Sequence, residues 1–401
     1  MNSTPPSSQR LVDRLATTFE RFLRANTSGG IVLIGATVLA LALATTLGGA
    51  AIDAVWERKL SLGVGRFTLQ LSWQHWVNDG LMALFFLLVG LELKRELLVG
   101  ELARPREALL PALAALGGMI VPAIIFLLFN FGRPSSHGWG VPMATDIAFA
   151  VGVLALLGSR VPRSLVVFLT ALAIVDDLGA VLVIALVYTS TIDVDALAAA
   201  GALFAVLIAL SLCRVRALWV YAVVGAGLWV AMLLSGVHAT IAGVLLAAAI
   251  PARSLGGESP LERLEHGLGR WVTFGIVPLF ALANAGIDLG AVAWGRALTE
   301  PVTLGVVLGL LLGKALGVSL FAWGAVRLGL ARLPADMAWQ HLVGAALLAG
   351  IGFTMSLFIA QLAFGEARMV EAAKLGILLG SLASAVLGLA WLASSLRSRS
   401  G

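Results

Sequence analysis

Charged residues are scarce in this sequence: Asp, Glu, Lys and Arg together make up 12% of its 401 positions. A soluble globular domain has about 25%. In contrast, 60% of the residues are hydrophobic, and the mean hydropathy is +0.98. This composition excludes a soluble globular enzyme and a disordered chain. It also excludes an outer-membrane β-barrel, because the strands of such a barrel alternate apolar and polar residues.

Cysteine and tyrosine are scarce as well. The single cysteine, Cys213, allows no internal disulfide. Only two tyrosines, Tyr188 and Tyr221, are present, which argues against a large polar or aromatic pocket for an organic solute. The net charge of +5 does not indicate a nucleic-acid partner, because the basic residues are not clustered. We therefore expect the lipid bilayer, and not a nucleic acid, to be the main partner of the chain.

Long hydrophobic runs are abundant from residue 28 onward. A membrane-spanning helix needs about 20 mostly apolar residues, so we predict an all-α polytopic membrane protein with about 12 transmembrane helices. Its parts are a cytoplasmic N-terminal segment (1–27), a single transmembrane transporter domain (28–396) and a cytoplasmic C-terminal tail (397–401). The predicted spans are 30–48, 74–99, 107–129, 138–158, 164–189, 195–213, 217–235, 237–251, 266–286, 301–326, 337–363 and 370–396.

The segments between the spans carry two further signals. In segment 54–72, apolar residues alternate with others around Gly63 and Gly65, which predicts a small external β-hairpin. If the N-terminus is cytoplasmic, 19 of the 27 Lys and Arg residues lie on the inner side and 6 on the outer side. Positive charge is retained on the cytoplasmic side of membrane proteins, so both termini are expected to be cytoplasmic.

Five ionisable residues lie inside the predicted spans: Asp79, Asp146, Asp176, Asp177 and Lys314. Each costs about 2.5–3.5 kcal/mol at the centre of a membrane helix, and such residues usually mark ion or proton pathways. Asp176, Asp177 and Lys314 all fall near the middle of their spans. A buried lysine needs a carboxylate partner, and neighbouring helical residues diverge by about 100°. One aspartate is therefore expected to pair with Lys314 and the other to face a water-filled cavity, and the sequence leaves open which.

Two spans contain residues that interrupt a helix. Pro142 precedes Asp146 in the fourth span, and Gly350 and Gly352 precede Thr354 in the eleventh. The fourth span is the middle of spans 3–5, and the eleventh is the middle of spans 10–12. Because the two trios start from opposite sides, we predict two inverted-topology three-helix repeats, with a transport site where the interrupted helices cross. Asp146 would offset the positive helix ends there and Lys314 the negative ends.

The tenth span has glycine at every fourth position, namely at Gly305, Gly309, Gly313 and Gly317. Such a stripe of small residues predicts close packing against another helix. Gly313-Lys314 does not match a phosphate-binding loop, because Ala315 stands where that motif needs Ser or Thr.

Several sequence motifs resemble those of NhaA-type sodium/proton antiporters, in the same order along the chain from about 28 to 365. They are WVNDGLMALFF (76–86), ELKRE (92–96), ATDIAFA (144–150), VDDLGA (175–180), SGVHAT (235–240), GK (313–314) and GIGFTMS (350–356). The resemblance implies electrogenic, pH-dependent exchange of cytoplasmic Na⁺ or Li⁺ for external protons at the bacterial inner membrane. It implies a transporter that is not an enzyme and has no cofactor.

The resemblance also implies roles for individual residues. Asp177 would be the main ligand of the transported Na⁺ and the proton carrier, and Asp176 would pair with Lys314 or bind a second proton. The helix crossing with its charge compensation would comprise Asp146, Thr145, Lys314 and Thr354. Asp79 would lie near the periplasmic pathway. The pH response would involve Glu92, Arg95, Glu96, Glu265, His266 and His238. The 54–72 hairpin would join two copies of the chain in a homodimer.

Two alternative functions, a cation channel and a sodium-coupled solute transporter, would use the same intramembrane acids. A cation channel would carry currents far above the turnover of a carrier and would have no obligatory coupling to protons. A sodium-coupled solute transporter would need a larger polar or aromatic pocket than two tyrosines suggest. The antiporter hypothesis instead requires that protons and a hard, oxygen-seeking cation compete for the same buried carboxylates.

Overall fold

The computed structural model describes residues 28–64, 67–189, 192–252 and 258–397. The predicted N-terminal segment 1–27 lies outside the described residues, as does all of the predicted tail after residue 397. The described part is mainly helical, with one two-stranded sheet. The first helices and strands are α1 (Ser28–Leu47), α2 (Gly49–Trp56), β1 (Lys59–Val64), β2 (Phe67–Ser72), α3 (Trp73–Leu98), α4 (Pro105–Asn130), α5 (Ile147–Ala155), α6 (Arg163–Val187), α7 (Val194–Leu212) and α8 (Leu218–Ser235).

The remaining helices complete the chain. They are α9 (Ile241–Ala249), α10 (Pro260–Trp271), α11 (Val277–Asn284), α12 (Trp294–Ala297), α13 (Pro301–Arg327), α14 (Trp339–Leu348), α15 (Phe353–Ala363) and α16 (Ala367–Arg397). A 3₁₀ segment, Pro134–Met143, precedes α5. Three π turns interrupt regular helix, at Trp76–Leu81, Val272–Ile276 and Gly309–Gly313.

Ten of the twelve predicted spans correspond to apolar helices of sufficient length. Among the described residues, eight single helices are long and apolar enough to cross a membrane, and two bent pairs bring the number to ten. The polytopic all-α class is thereby confirmed.

The other two predicted spans have a different form. Predicted span 237–251 contains α9, which is only nine residues long. Predicted span 266–286 falls in a continuous helix over 260–284 that consists of α10, a π turn and α11. Helix α10 is amphipathic: Leu261 is buried, whereas Arg263 and His266 face outward. The charged residues of α10 therefore make the first half of the 260–284 helix less apolar than a typical membrane span.

The predicted β-hairpin is present over Lys59–Ser72, whereas residues 54–56 of the predicted segment 54–72 belong to α2. Strands β1 and β2 pair antiparallel, with Lys59 opposite Ser72 and Val64 opposite Phe67. The hairpin leads directly into α3, because Ser72 caps that helix by accepting a hydrogen bond from the backbone N–H of His75 at 3.2 Å.

The glycine stripe on α13 packs against α4, as predicted. A side chain at Gly317 would collide with the backbone carbonyl of Gly117, and one at Gly313 would lie 2.7 Å from Pro122 Cα. At Gly309, a side chain would lie 2.7 Å from Pro142 Cβ. The close approach of these backbones brings Lys314 into the interior of the protein, where it is fully buried.

The two interrupted helices are also present, and they meet. The 3₁₀ segment and α5 are bent by 41° at residues 144–146, and α14 and α15 are bent by 47° at residues 349–352. The backbone N–H of Asp146 donates to the carbonyl oxygen of Ile351 at 2.6 Å, which joins the two breaks directly. Leu172 of α6, Leu310 of α13 and Ile351 are buried in the same hydrophobic core around this crossing. The inverted orientation of the two trios remains a prediction.

Candidate functional site

Asp146 holds the first turns of both half-helices at the crossing. Its Oδ1 accepts the backbone N–H of Phe149 at 3.0 Å, which caps α5. Its Oδ2 accepts the backbone N–H of Thr354 at 3.1 Å and the Thr354 hydroxyl at 2.5 Å. Because α5 and α15 both begin here, two positive helix ends face one carboxylate. The charge compensation that we expected of Asp146 remains a prediction, and this arrangement is the geometry that it requires.

Lys314 is paired with Asp176. Its Nζ donates to Asp176 Oδ2, and both side chains are fully buried. Thr145 lies 2.6 Å from the same carboxylate oxygen and 2.8 Å from the carbonyl oxygen of Ala349, at the end of the α14 half-helix. Of the two aspartates left open by the sequence, Asp176 is therefore the partner of the lysine. Among the described residues, the hydrogen bond of Lys314 goes to the Asp176 carboxylate. The expected offset of the negative helix ends by the Lys314 charge remains a prediction.

Asp177 lines a separate, partly polar cavity of about 100 Å³. Asp146, Thr145, Thr354 and Glu92 also line this cavity. Asp177 is 2% exposed, and its Oδ1 is buried without a hydrogen-bond partner among the described residues. Since one water molecule occupies about 30 Å³ in the liquid, the cavity has room for about three waters. A buried carboxylate beside such a space can take up a proton or a cation.

The charges around Asp177 are strongly unbalanced. Among the described residues, it interacts electrostatically with three carboxyl groups, those of Asp176, Asp146 and Glu92, and with one cation, Lys314. If all four carboxyl groups were ionised, this buried cluster would carry a net charge of −3. The two helix ends compensate part of the charge of Asp146, and Arg95 interacts with Glu92. Asp177 has no such compensation beyond Lys314 among the described residues, and burial without compensation is unfavourable for its ionised form.

A second group of predicted residues forms an ion-pair network at the end of α3. Arg95 Nε lies 3.1 Å from both carboxylate oxygens of Glu265, and Arg95 Nη2 lies 3.2 Å from Glu96 Oε1. Burial raises the pKa of Glu265, and the adjacent Arg95 partly opposes that shift. His266 is mostly exposed and lies 3.5 Å from Glu258 Oε1. Glu92 interacts with this network and also lines the cavity of Asp177, so it connects the two.

Asp79 and His238 form a third group outside the cavity. The backbone carbonyl of Asp79, on a π turn of α3, accepts the indole N–H of Trp229 at 2.8 Å. His238 interacts electrostatically with the Asp79 carboxyl group. The ring Nε2 of His238 lies 2.7 Å from the carbonyl oxygen of Tyr188. The predicted site residues are thus distributed over three places in the fold.

Some polar residues of these regions were not predicted from the sequence. Lys94 Nζ donates to the carbonyl oxygens of Ala248 and Ile250, both at 2.6 Å, and so caps the end of α9. Asn78 and Asn284 exchange two side-chain hydrogen bonds of 3.2 and 2.8 Å. The two asparagines inside apolar segments were a usable signal. No sequence signal indicated the role of Lys94, because its hydrogen-bond partners lie about 150 residues away along the chain.

Comparison with known proteins gives a consistent result. The sequence profile of the family described as Na+/H+ antiporter 1 matches residues 20–392. A relative named Na(+)/H(+) antiporter NhaA, from Syntrophobacter fumaroxidans, is 49% identical over 96% of this chain and 92% of its own length. Relatives of the same name are 52% identical in Escherichia coli O1:K1, over 94% of this chain and 98% of that protein, and 49% identical in Acidithiobacillus ferrooxidans, over 93% and 96%.

The buried pair predicts a large effect of removing its cation. Replacing Lys314 by Ala leaves Asp176 buried without a counter-charge, and breaking such a pair typically costs about 3–5 kcal/mol. We expect the Lys314→Ala variant to melt at a clearly lower temperature in detergent, as measured by fluorescence-detected size exclusion after heating.

The double variant Lys314→Ala/Asp176→Asn provides the control, because it removes both charges. It should recover part of the lost thermal stability. A single variant that melts at the same temperature as the unaltered protein would contradict the pairing.

Proposed function

The chain belongs to the Na+/H+ antiporter 1 family, and on that premise we propose that it is an electrogenic, pH-dependent exchanger of Na⁺ or Li⁺ for protons. It is a bacterial multi-pass membrane protein whose relatives are sodium/proton antiporters. In the proposed mechanism, protons and the transported cation compete for Asp177, with Asp176 as the neighbouring carboxylate. The single observation that carries the proposal is the Asp177 carboxyl group, which lines a partly polar cavity and whose Oδ1 has no hydrogen-bond partner among the described residues.

Competition between the two ions explains how their flows are coupled. Na⁺ is a hard cation that binds oxygen ligands, and an ionised carboxylate supplies them. A protonated Asp177 is neutral and cannot attract the cation. If the site crosses between the two sides of the membrane only when it holds one or the other, each cation exported requires the import of protons.

The helix crossing is the proposed moving part. Asp146 and Thr354 hold the starts of α5 and α15 together, and the bond from Asp146 N–H to Ile351 joins the two interruptions. We propose that these half-helices move as one body and expose Asp177 to either side in turn. Alternating access of this kind is typical of transporters with inverted repeats and broken helices.

Electrogenic exchange follows if more than one proton enters for each cation that leaves. The membrane potential then supplies about 2.3 kcal/mol per net charge for every 100 mV. Asp176 is the proposed second proton site. Its pairing with Lys314 means that protonating Asp176 frees the ammonium group, so that this step links proton uptake to the charge of Lys314.

The Arg95 network is the proposed pH-responsive region. It comprises Glu92, Arg95, Glu96 and Glu265, with His266 near its edge and His238 at the separate Asp79 group. Glu92 joins this network to the cavity, so a change of charge at Glu265 reaches Asp177 through one intermediate carboxyl group. In our proposal both termini are cytoplasmic and the β-hairpin joins two copies of the chain.

Replacing the proposed carrier residues tests the assignment. Asp177→Asn and Asp176→Asn keep the size of each side chain but remove its titrating oxygen. We expect each variant to lose Na⁺-dependent dissipation of a pH gradient in everted membrane vesicles, by at least about tenfold, which corresponds to about 1.4 kcal/mol.

Asp195→Asn is the matched control. Asp195 is exposed in the first turn of α7 and should be replaceable without loss of exchange. Full Na⁺-dependent activity in both Asp176→Asn and Asp177→Asn would refute the proposed site.

The pH response predicts a shift in one direction. Because burial raises the pKa of Glu265, this group loses its proton at a higher pH than an exposed glutamate does, and it then carries the charge that faces Arg95. Glu265→Gln fixes the neutral form that the native group has at low pH. We expect the pH at half-maximal exchange to move upward by about half a unit, equivalent to about 0.7 kcal/mol.

The measurement is the rate of Na⁺-dependent exchange in everted vesicles at a series of pH values. Glu366→Gln, which removes an exposed carboxylate elsewhere, should leave the profile in place. A Glu265→Gln profile that coincides with the unaltered one, or that moves toward acidic pH, would contradict this role.

A further inference from the structure

Most oxygen atoms in the Asp177 cavity are already engaged by the protein. The Asp146 carboxylate accepts three hydrogen bonds from the two half-helices, one of them from the Thr354 hydroxyl. The Thr145 hydroxyl lies within hydrogen-bond distance of Asp176 Oδ2. Among the described residues that line the cavity, Asp177 has a buried carboxylate oxygen, Oδ1, without a hydrogen-bond partner. Glu92 and a residue outside the predicted site, Thr273, also line the cavity, and their side chains make no hydrogen bond to another described residue.

Thr273 differs from several other threonines of the chain. Thr37 and Thr46 in α1, and Thr189 just beyond the end of α6, donate to the carbonyl oxygen four residues earlier, at 2.7–2.8 Å, whereas the hydroxyl of Thr170 in α6 has no partner among the described residues. Thr273 lies within the π turn Val272–Ile276, and in the described part of the chain its hydroxyl makes no such bond. Its side chain is half-buried and lines the cavity. The lone pairs and the proton of this hydroxyl are therefore not engaged by any other described residue.

The methyl group of Thr273 is held against α1. A side chain at Gly29 would collide with Thr273 Cγ2, so this methyl lies directly over the Gly29 backbone. The methyl and the hydroxyl diverge from the same tetrahedral carbon, and χ1 of threonine is restricted by this branching. Fixing the methyl on Gly29 therefore also fixes the direction of the hydroxyl.

We propose that Thr273 is an oxygen ligand of the transported cation, together with Glu92 and Asp177. The three groups come from the 260–284 helix, α3 and α6, so that a cation between them would be held by three separate elements. The inference rests on the proposed antiport function and adds a neutral ligand to its carboxylates. A neutral oxygen suits this position, because it replaces part of the hydration shell of Na⁺ without adding another charge that needs a proton.

Thr273 lies in a π turn, as the bond from Val277 N–H to Val272 O five residues earlier shows. Single π turns inside α-helices occur frequently at functional sites. Thr273 lines the same cavity as Asp177, and its hydroxyl bonds to no other described residue.

Four substitutions at Thr273 and elsewhere separate the hydroxyl from the methyl. Thr273→Val replaces the hydroxyl by a methyl at nearly constant shape. Thr273→Ser and Thr273→Ala both lose the methyl over Gly29 and differ from each other only in the hydroxyl. Thr37→Val is the control, because the Thr37 hydroxyl is bonded within its own helix. The Ser and Ala pair keeps the comparison valid should the Val variant fold poorly.

The test measures binding of ²²Na⁺ to each purified variant in detergent, and the KM for Na⁺ in everted vesicles. We expect Thr273→Val to weaken Na⁺ binding about fivefold, the value of one hydrogen-bond-sized interaction, and to raise KM by the same factor. Thr273→Ser should bind Na⁺ about fivefold more tightly than Thr273→Ala. Thr37→Val should bind Na⁺ as the unaltered protein does.

The outcomes distinguish this inference from the function on which it rests. Equal Na⁺ affinity of Thr273→Val and the unaltered protein, or equal affinity of Thr273→Ser and Thr273→Ala, would refute the ligand role and leave antiport standing. An unaltered protein that shows no Na⁺-dependent proton exchange would refute the proposed function itself.

Discussion

The ion pair between Lys314 and Asp176 is the interaction on which the rest of the site depends. Both groups are fully buried, and neither charge is tolerable there without the other. The pair requires α13 to lie against α4 at the glycine stripe and α6 to lie beside both. It also determines what Asp177 does. Since adjacent helical residues point about 100° apart, holding Asp176 on the lysine turns Asp177 toward the cavity, where its charge has no fixed partner.

The helix crossing solves a related problem with backbone groups. Breaking two helices inside a membrane leaves unpaired N–H and C=O groups, which are unfavourable away from water. Asp146 pairs with N–H groups of both half-helices, and Thr145 lies within hydrogen-bond distance of the Ala349 carbonyl at the opposite end. These contacts satisfy backbone groups at the two breaks, so the breaks are stable although they are not helical. A few polar side chains thus support an irregular backbone next to the ion site.

Much of this could be predicted from the sequence, because the residues involved are unfavourable in a membrane and therefore conspicuous. Charges in apolar runs identified Asp146, Asp176, Asp177 and Lys314, and Pro142 with Gly350 and Gly352 identified the two breaks. What could not be predicted depends on helix rotation. The N–H of Lys314 bonds to Gly309, five residues earlier, so the π turn changes the direction in which the lysine points. No pattern with a period of 3.6 residues reveals such a turn, and for the same reason Thr273 was not predicted.

The two spans that differ from the prediction are α9, a short helix, and the 260–284 helix, which is partly amphipathic. Average hydrophobicity describes both kinds of helix poorly.

The central claim of this account is that protons and Na⁺ compete for Asp177. The most direct test adds Na⁺ to the purified protein in weakly buffered detergent solution and records the protons released. The account predicts that Na⁺ binding releases protons from the unaltered protein and that the Asp177→Asn variant releases none. Binding of Na⁺ to the unaltered protein without any release of protons, at every pH between 6 and 9, would contradict it.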